Sequence, residues 1–174
     1  MSEADTLPDR SLLYAYRAPG DFLDCYSVSL GEHHDLQNAD MRVLADLILN
    51  ADIAWMRNLM ALRDRVARFV GMKSGKALAM EQAPTPVAGR GVGERIGFFK
   101  IYQVAPDEII LGEDDWHQDF RLTILRDAQR IYAATCCRRH NVFGHAYLAL
   151  ILPFHKLIVK SVLDKAVKAS PAAA

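Results

Sequence analysis

The sequence predicts an α+β fold in which a bent antiparallel sheet wraps around a long C-terminal helix. Three observations carry that prediction. Residues from Ile96 to Arg138 read as strand after strand with short turns between them. Apolar residues at helical spacing fill about 38–70. A second, wider helical stripe runs from Gly144 to Ala169 and ends the chain.

Each element has a local cause. Residues 1–20 are polar and turn-rich and end in Ala18-Pro19-Gly20, so they form a polar N-terminal segment. Asp21 to Leu30 alternates Phe22, Asp24, Tyr26, Val28 and Leu30 against smaller or polar partners, as a strand does. Asn38 is the expected N-cap of a first helix carrying Met41, Leu44, Leu47 and Ile48. Trp55, Leu59, Leu62, Val66, Phe69 and Val70 make the stripe of a second helix, which Gly71 stops. The span 72–95 holds four glycines and two prolines and reads as a long loop. Its Gly89-Arg-Gly91-Val-Gly93 run satisfies neither phosphate-loop spacing.

Four strands are expected next: Ile96 to Val104, Glu108 to Leu111, Trp116 to Arg126 and Arg130 to Arg138. In the final helix Leu148, Ile151, Leu152, Leu157, Ile158, Val162 and Ala166 are apolar, and Pro153 should kink it. Lys156, Lys160, Lys165 and Lys168 suit the negative end of its dipole. The expected organisation is one domain over 21–169, with a frayed tail at 170–174. This order is similar to the helix-grip layout of START and Bet v 1-like proteins, where a cavity lies between sheet and helix. The likeness is one of fold.

Composition bounds the function. The chain of 174 residues is 51% hydrophobic, with 21 basic and 21 acidic side chains. A zero net charge gives no electrostatic reason to meet nucleic acid. No signal peptide is visible, and the longest apolar run, Ala146 to Phe154, is nine residues broken by Pro153. A membrane span needs roughly 20. The expectation is a cytoplasmic protein with no membrane partner. The three cysteines, Cys25, Cys136 and Cys137, suggest packing rather than a disulfide framework.

The densest chemistry is Gly112-Glu-Asp-Asp-Trp-His-Gln-Asp-Phe-Arg121, with four carboxylates, a His and an Arg in ten residues. Strand alternation would set His117, Asp119, Arg121 and Thr123 on one face and Trp116, Phe120, Leu122 and Ile124 on the other. Turned outward, the polar row is a solvated face knit by ion pairs. Turned inward, it lines a cavity: His117 as acid or base, Asp119 orienting it, Arg121 holding an anionic group. Glu113, Asp114 and Asp115 with His117 match no metal-site spacing, so a charged turn is preferred and no metal is expected. His140, a candidate ligand contact, lies between the last strand and the helix, and Asn141 is a candidate cap for that helix. Tyr147 and His155 lie two turns apart on it and are candidate ligand contacts. Phe98, Phe99, Tyr102, Phe120, Leu148 and Leu152 are candidate cavity walls.

The stretches Leu111 to Arg121, His140-Asn141, Gly144, Tyr147 and Pro153 to Val159 resemble the DUF2867 family, a group of uncharacterised bacterial domains. Trp55 to Asp64, Phe69 to Lys73 and the strand containing Tyr26 resemble it too. The likeness implies the fold and a soluble bacterial origin, not an activity. Members occur alone or appended to NAD(P)-binding domains, and this chain carries no such domain, so no cofactor is implied. Three functions are then open: binding of a small apolar or amphipathic molecule; proton-transfer chemistry in the same cavity with His117 and Asp119; or a non-catalytic interaction module, in a chain that could also form a homo-oligomer.

Overall fold

The computed structural model describes residues 1–31, 33–51 and 85–169. The second expected helix, most of the loop 72–95 and the tail 170–174 lie outside the described residues. The described elements are β1 (Glu3–Ala4), β2 (Phe22–Ser29), α1 (His34–Asn38), α2 (Met41–Leu49), β3 (Arg95–Ile96), β4 (Phe99–Val104), β5 (Glu108–Asp114), β6 (Gln118–Arg126), β7 (Arg130–Arg139) and α3 (Val142–Ala169). The strands form one seven-stranded antiparallel sheet in the order β1-β2-β7-β6-β5-β4-β3. This α+β arrangement of a sheet with a long C-terminal helix against it is consistent with the helix-grip layout expected.

Alternation sorts the strand residues onto two faces. Val28, Ile101, Ile109, Leu111, Ile124, Ile131 and Ala133 point toward the helices and join Leu44, Ile48, Val162 and Leu163 in the main core. Cys25, Ile110, Leu125, Tyr132, Ala134 and Cys136 point to the other face, where Leu7 and Leu13 cover them. The polar opening segment thus closes one side of the sheet. Glu108, 2% exposed, ties it down. It accepts from the Ser11 hydroxyl at 2.6 Å, the Leu12 amide at 2.8 Å and the Thr123 hydroxyl at 2.6 Å. Three donors satisfy a buried carboxylate that would otherwise be costly.

Three local expectations need correction. The single strand from Ile96 to Val104 is a hairpin, β3 and β4, with Ile96 paired to Phe99. Gly97 at φ +60° makes the turn, a conformation side-chained residues avoid. The cap of α2 is Asp40, not Asn38: its carboxylate accepts from the Arg42 amide at 2.8 Å. Asn38 is instead the last residue of a short helix, His34–Asn38. The strand expected from Trp116 begins instead at Gln118.

α3 runs unbroken through Pro153 for 28 residues. That is about 42 Å at 1.5 Å per residue. Val159, Val162, Leu163 and Ala166 are buried in its C-terminal half, while Val142, Leu150, Phe154 and Leu157 stay exposed. The short apolar run in the sequence understated this helix. By length and composition it could cross a membrane, with a mean hydropathy of 1.6 over its most apolar 18 residues. Its inner side packs against the sheet and α2.

Candidate functional site

The site starts at the bend between β5 and β6. The Asp115 carboxylate accepts from the Trp116 amide at 2.8 Å, and the Asp115 amide donates to the Gln118 carbonyl at 3.1 Å. Residues 115–117 therefore leave the pleat, and β6 begins only at Gln118. The bend is fastened to the start of α3. The His140 amide donates to the His117 carbonyl at 3.0 Å, and the Asn141 side chain donates to the Trp116 carbonyl at 3.2 Å. Asn141 also caps α3, accepting from the Gly144 amide at 2.9 Å.

This bend divides the expected polar row. His117 turns in and is 3% exposed, whereas Trp116 is 49% exposed. From Gln118 onward alternation resumes, so Gln118, Phe120, Leu122 and Ile124 face α3 and Asp119, Arg121 and Thr123 face away. His117 and Asp119 are not a pair. Asp119 meets His140 Nε2 at 3.1 Å instead. Arg121 pairs with Asp114 at 2.7 Å and lies over the Tyr102 ring, 3.7 Å from its centroid. Tyr102 donates its hydroxyl to Asp114 at 2.8 Å. Burial and that hydrogen bond push the Tyr102 phenol up. Burial pushes Asp114 the other way from its partners, but the bonds from Tyr102 and Arg121 win and hold it low.

A cavity of about 290 Å³ lies between the inner sheet face, α2 and α3, which lines it from Tyr147 to Val162. Phe98, Phe99, Phe120, Leu122, Leu148 and Ile151 supply apolar wall. Its polar groups sit at two places. At one, His117 rests edge-on to Tyr147, ring centroids 5.0 Å apart, with Gln118, Asp115 and Glu113 nearby. Glu113 is held by Arg95 at 2.6 Å, both side chains about nine-tenths buried. Arg95 also donates to the Phe98 carbonyl at 2.6 Å, fixing one wall. His117 Nδ1 stands 3.8 Å from Asp115, beyond hydrogen-bond length. At the other place is His155, whose Nε2 meets an oxygen of Asp24 at 3.2 Å.

Residues 18–162 match the family model described as a protein of unknown function, DUF2867. The chain belongs to the DUF2867 family. No curated protein and no solved structure matched it.

In this DUF2867 chain the structure gathers His117, Phe98, Phe99, Phe120, Tyr147, Leu148 and His155 around the cavity. It does not bring Asp119, Arg121, Tyr102, His140 or Leu152 there. The first four lie on the far sheet face or at its edge: Asp119 and Arg121 keep the outward row of β6, and the 115–117 bend takes only His117 out of that row. Glu113 and Asp114 point to opposite faces, and among the described residues no three His, Cys, Asp or Glu side chains cluster as metal ligands. Cys136 and Cys137 also divide, the first into the outer core and the second into the cavity wall. Sequence reasoning missed Asp24. Its signal was present: a carboxylate on the row Phe22, Asp24, Tyr26, Val28 and Leu30, which is otherwise aromatic or aliphatic.

Proposed function

We propose that this DUF2867 domain, as in a START-like protein, binds a small amphipathic molecule between the sheet and α3. The observation that supports this most directly is the make-up of the cavity. Aromatic and aliphatic side chains form most of its wall, and a few polar groups converge at two places. Small-molecule pockets have this composition, with apolar walls for affinity and few polar groups for orientation. At about 290 Å³ it lies just below the range of roughly 300–1,000 Å³ for such pockets. The proton-transfer reading built on His117 with Asp119 has lost its pair, since Asp119 meets His140 on the other face.

Titration with N-phenyl-1-naphthylamine, a probe that brightens in apolar surroundings, tests the reading. Saturable brightening is expected in the native protein. Ile151→Trp, which fills the space from α3, should weaken it at least tenfold with the circular dichroism spectrum unchanged. Native mass spectrometry of protein purified from its own host should show a retained small molecule. A probe that fails to bind, or that binds Ile151→Trp equally well, would refute cavity binding.

A further inference from the structure

We propose that His155 and Asp24 are the anchor for an acidic group on the cavity's ligand, and that binding the ligand's carboxylate takes up a proton at His155. The proposal rests on the cavity reading above and says which chemistry the cavity selects.

His155 lines the cavity, and Asp24 stands behind it on β2, outside the wall. The pair is largely withdrawn from water, with side chains 22% and 13% exposed. An ionised carboxylate only accepts, so the hydrogen in the 3.2 Å contact belongs to Nε2 of His155. In the neutral ring that choice leaves Nδ1 with a lone pair. No group among the described residues hydrogen-bonds Nδ1, so it is available to a ligand. Asp24 has a second need: its other oxygen, Oδ2, is buried with no hydrogen-bond partner among the described residues. A carboxylate so placed favours positive charge beside it. Protonating His155 supplies that charge, and Nδ1–H then points a charge-assisted donor at the ligand. A neutral alcohol gains only the ordinary acceptor at Nδ1. A carboxylate gains the charged donor, with Asp24 balancing the imidazolium.

The surrounding groups leave this arrangement intact. From β2, Tyr26 is pushed up by burial and stays neutral. From β7, burial pushes the Cys137 thiol up to about 12, so it too stays neutral. On α3 itself, Lys156 is exposed, while Lys160 lies 5.5 Å from the centroid of the Tyr26 ring. Tyr147 marks the other polar place, two helical turns or about 12 Å away. There Glu113 is already matched by Arg95. The molecule that fits is therefore a short amphipathic monocarboxylic acid, its acid at His155 and its chain along the aromatic wall toward His117.

Octanoate, octanol and octylamine share a chain and differ in head group, which makes them suitable probes. Isothermal titration calorimetry in two buffers of different ionisation enthalpy reads both affinity and proton uptake. Octanoate should bind at least tenfold more tightly than octanol or octylamine, with proton uptake that octanol binding lacks. His155→Gln and Asp24→Asn should bring octanoate down to the octanol level and abolish the uptake. If octanol or octylamine binds native protein as tightly as octanoate, or if octanoate binds without proton uptake, the anchor is refuted while cavity binding stands. If none of the three binds, the cavity reading fails and the anchor with it. Should either variant fail to fold, the uptake measured on the native protein still decides.

Discussion

A Cβ placed on Gly144 would stand 2.2 Å from the carbonyl oxygen of His117. The first turn of α3 thus rests directly on the bend that aims His117 into the cavity. Two effects oppose each other when Gly144 is replaced by Ala. Helix propensity favours Ala by about 1 kcal/mol. Overpacking against a backbone atom costs about 1–3 kcal/mol, and here helix and bend must separate. We expect a net loss of stability, read as a lower urea midpoint, together with weaker binding of the naphthylamine probe. A Gly144→Ala protein more stable than the native one would show that the helix start moves freely over the bend.

The Arg95–Glu113 pair makes the second prediction. Both side chains are about nine-tenths buried and meet at 2.6 Å. Removing one partner of a buried pair costs roughly 3–5 kcal/mol, whereas replacing both by apolar residues of similar size is near neutral or better. Arg95→Met should therefore lower stability by about that amount. Arg95→Met with Glu113→Leu should recover most of it. Urea unfolding of the two proteins checks this, and equal midpoints for the single and double variants would refute it.

Much of the fold was legible because it depends on local periodicity. The alternation of Phe22 to Leu30, the meander after Gly97 and the stripe from Leu148 to Ala166 are each written in short windows. What was not legible depends on places where periodicity stops. The run Ile96 to Val104 is continuous in character, and only the positive φ of Gly97 divides it. Counting alternation from Trp116 put His117 with Asp119, but residues 115–117 obey no pleat, and a one-residue offset exchanges faces. His155 and Asp24 are 131 residues apart, so no window joins them. Such a pair exists only once β2 and α3 have packed.

The cysteines allow a prediction in pH. Burial, followed by the nearby charges of Asp5 and Asp24, pushes the Cys25 thiol up to about 12. Burial, followed by Cys136 and Asp24, does the same for Cys137. At pH 8 about one thiol in ten thousand would then be thiolate at either position. A disulfide reagent such as dithiobis(nitrobenzoate) should react slowly with the native protein and fast with all three thiols once it is unfolded. The same shifts set the direction of a stability change. In the unfolded chain these thiols ionise near pH 8.5–9, so their protonated state favours the fold fully below that range. As pH rises from about 9 toward 12, the unfolded chain loses protons that the folded chain keeps. Stability should then fall by up to about 1.4 kcal/mol per pH unit for each thiol. Guanidinium midpoints at pH 8, 9.5 and 10.5 should decline, and Cys137→Ala should decline less steeply than the native protein. Parallel slopes for the two would mean that Cys137, in the cavity wall, does not feel its burial as a charge.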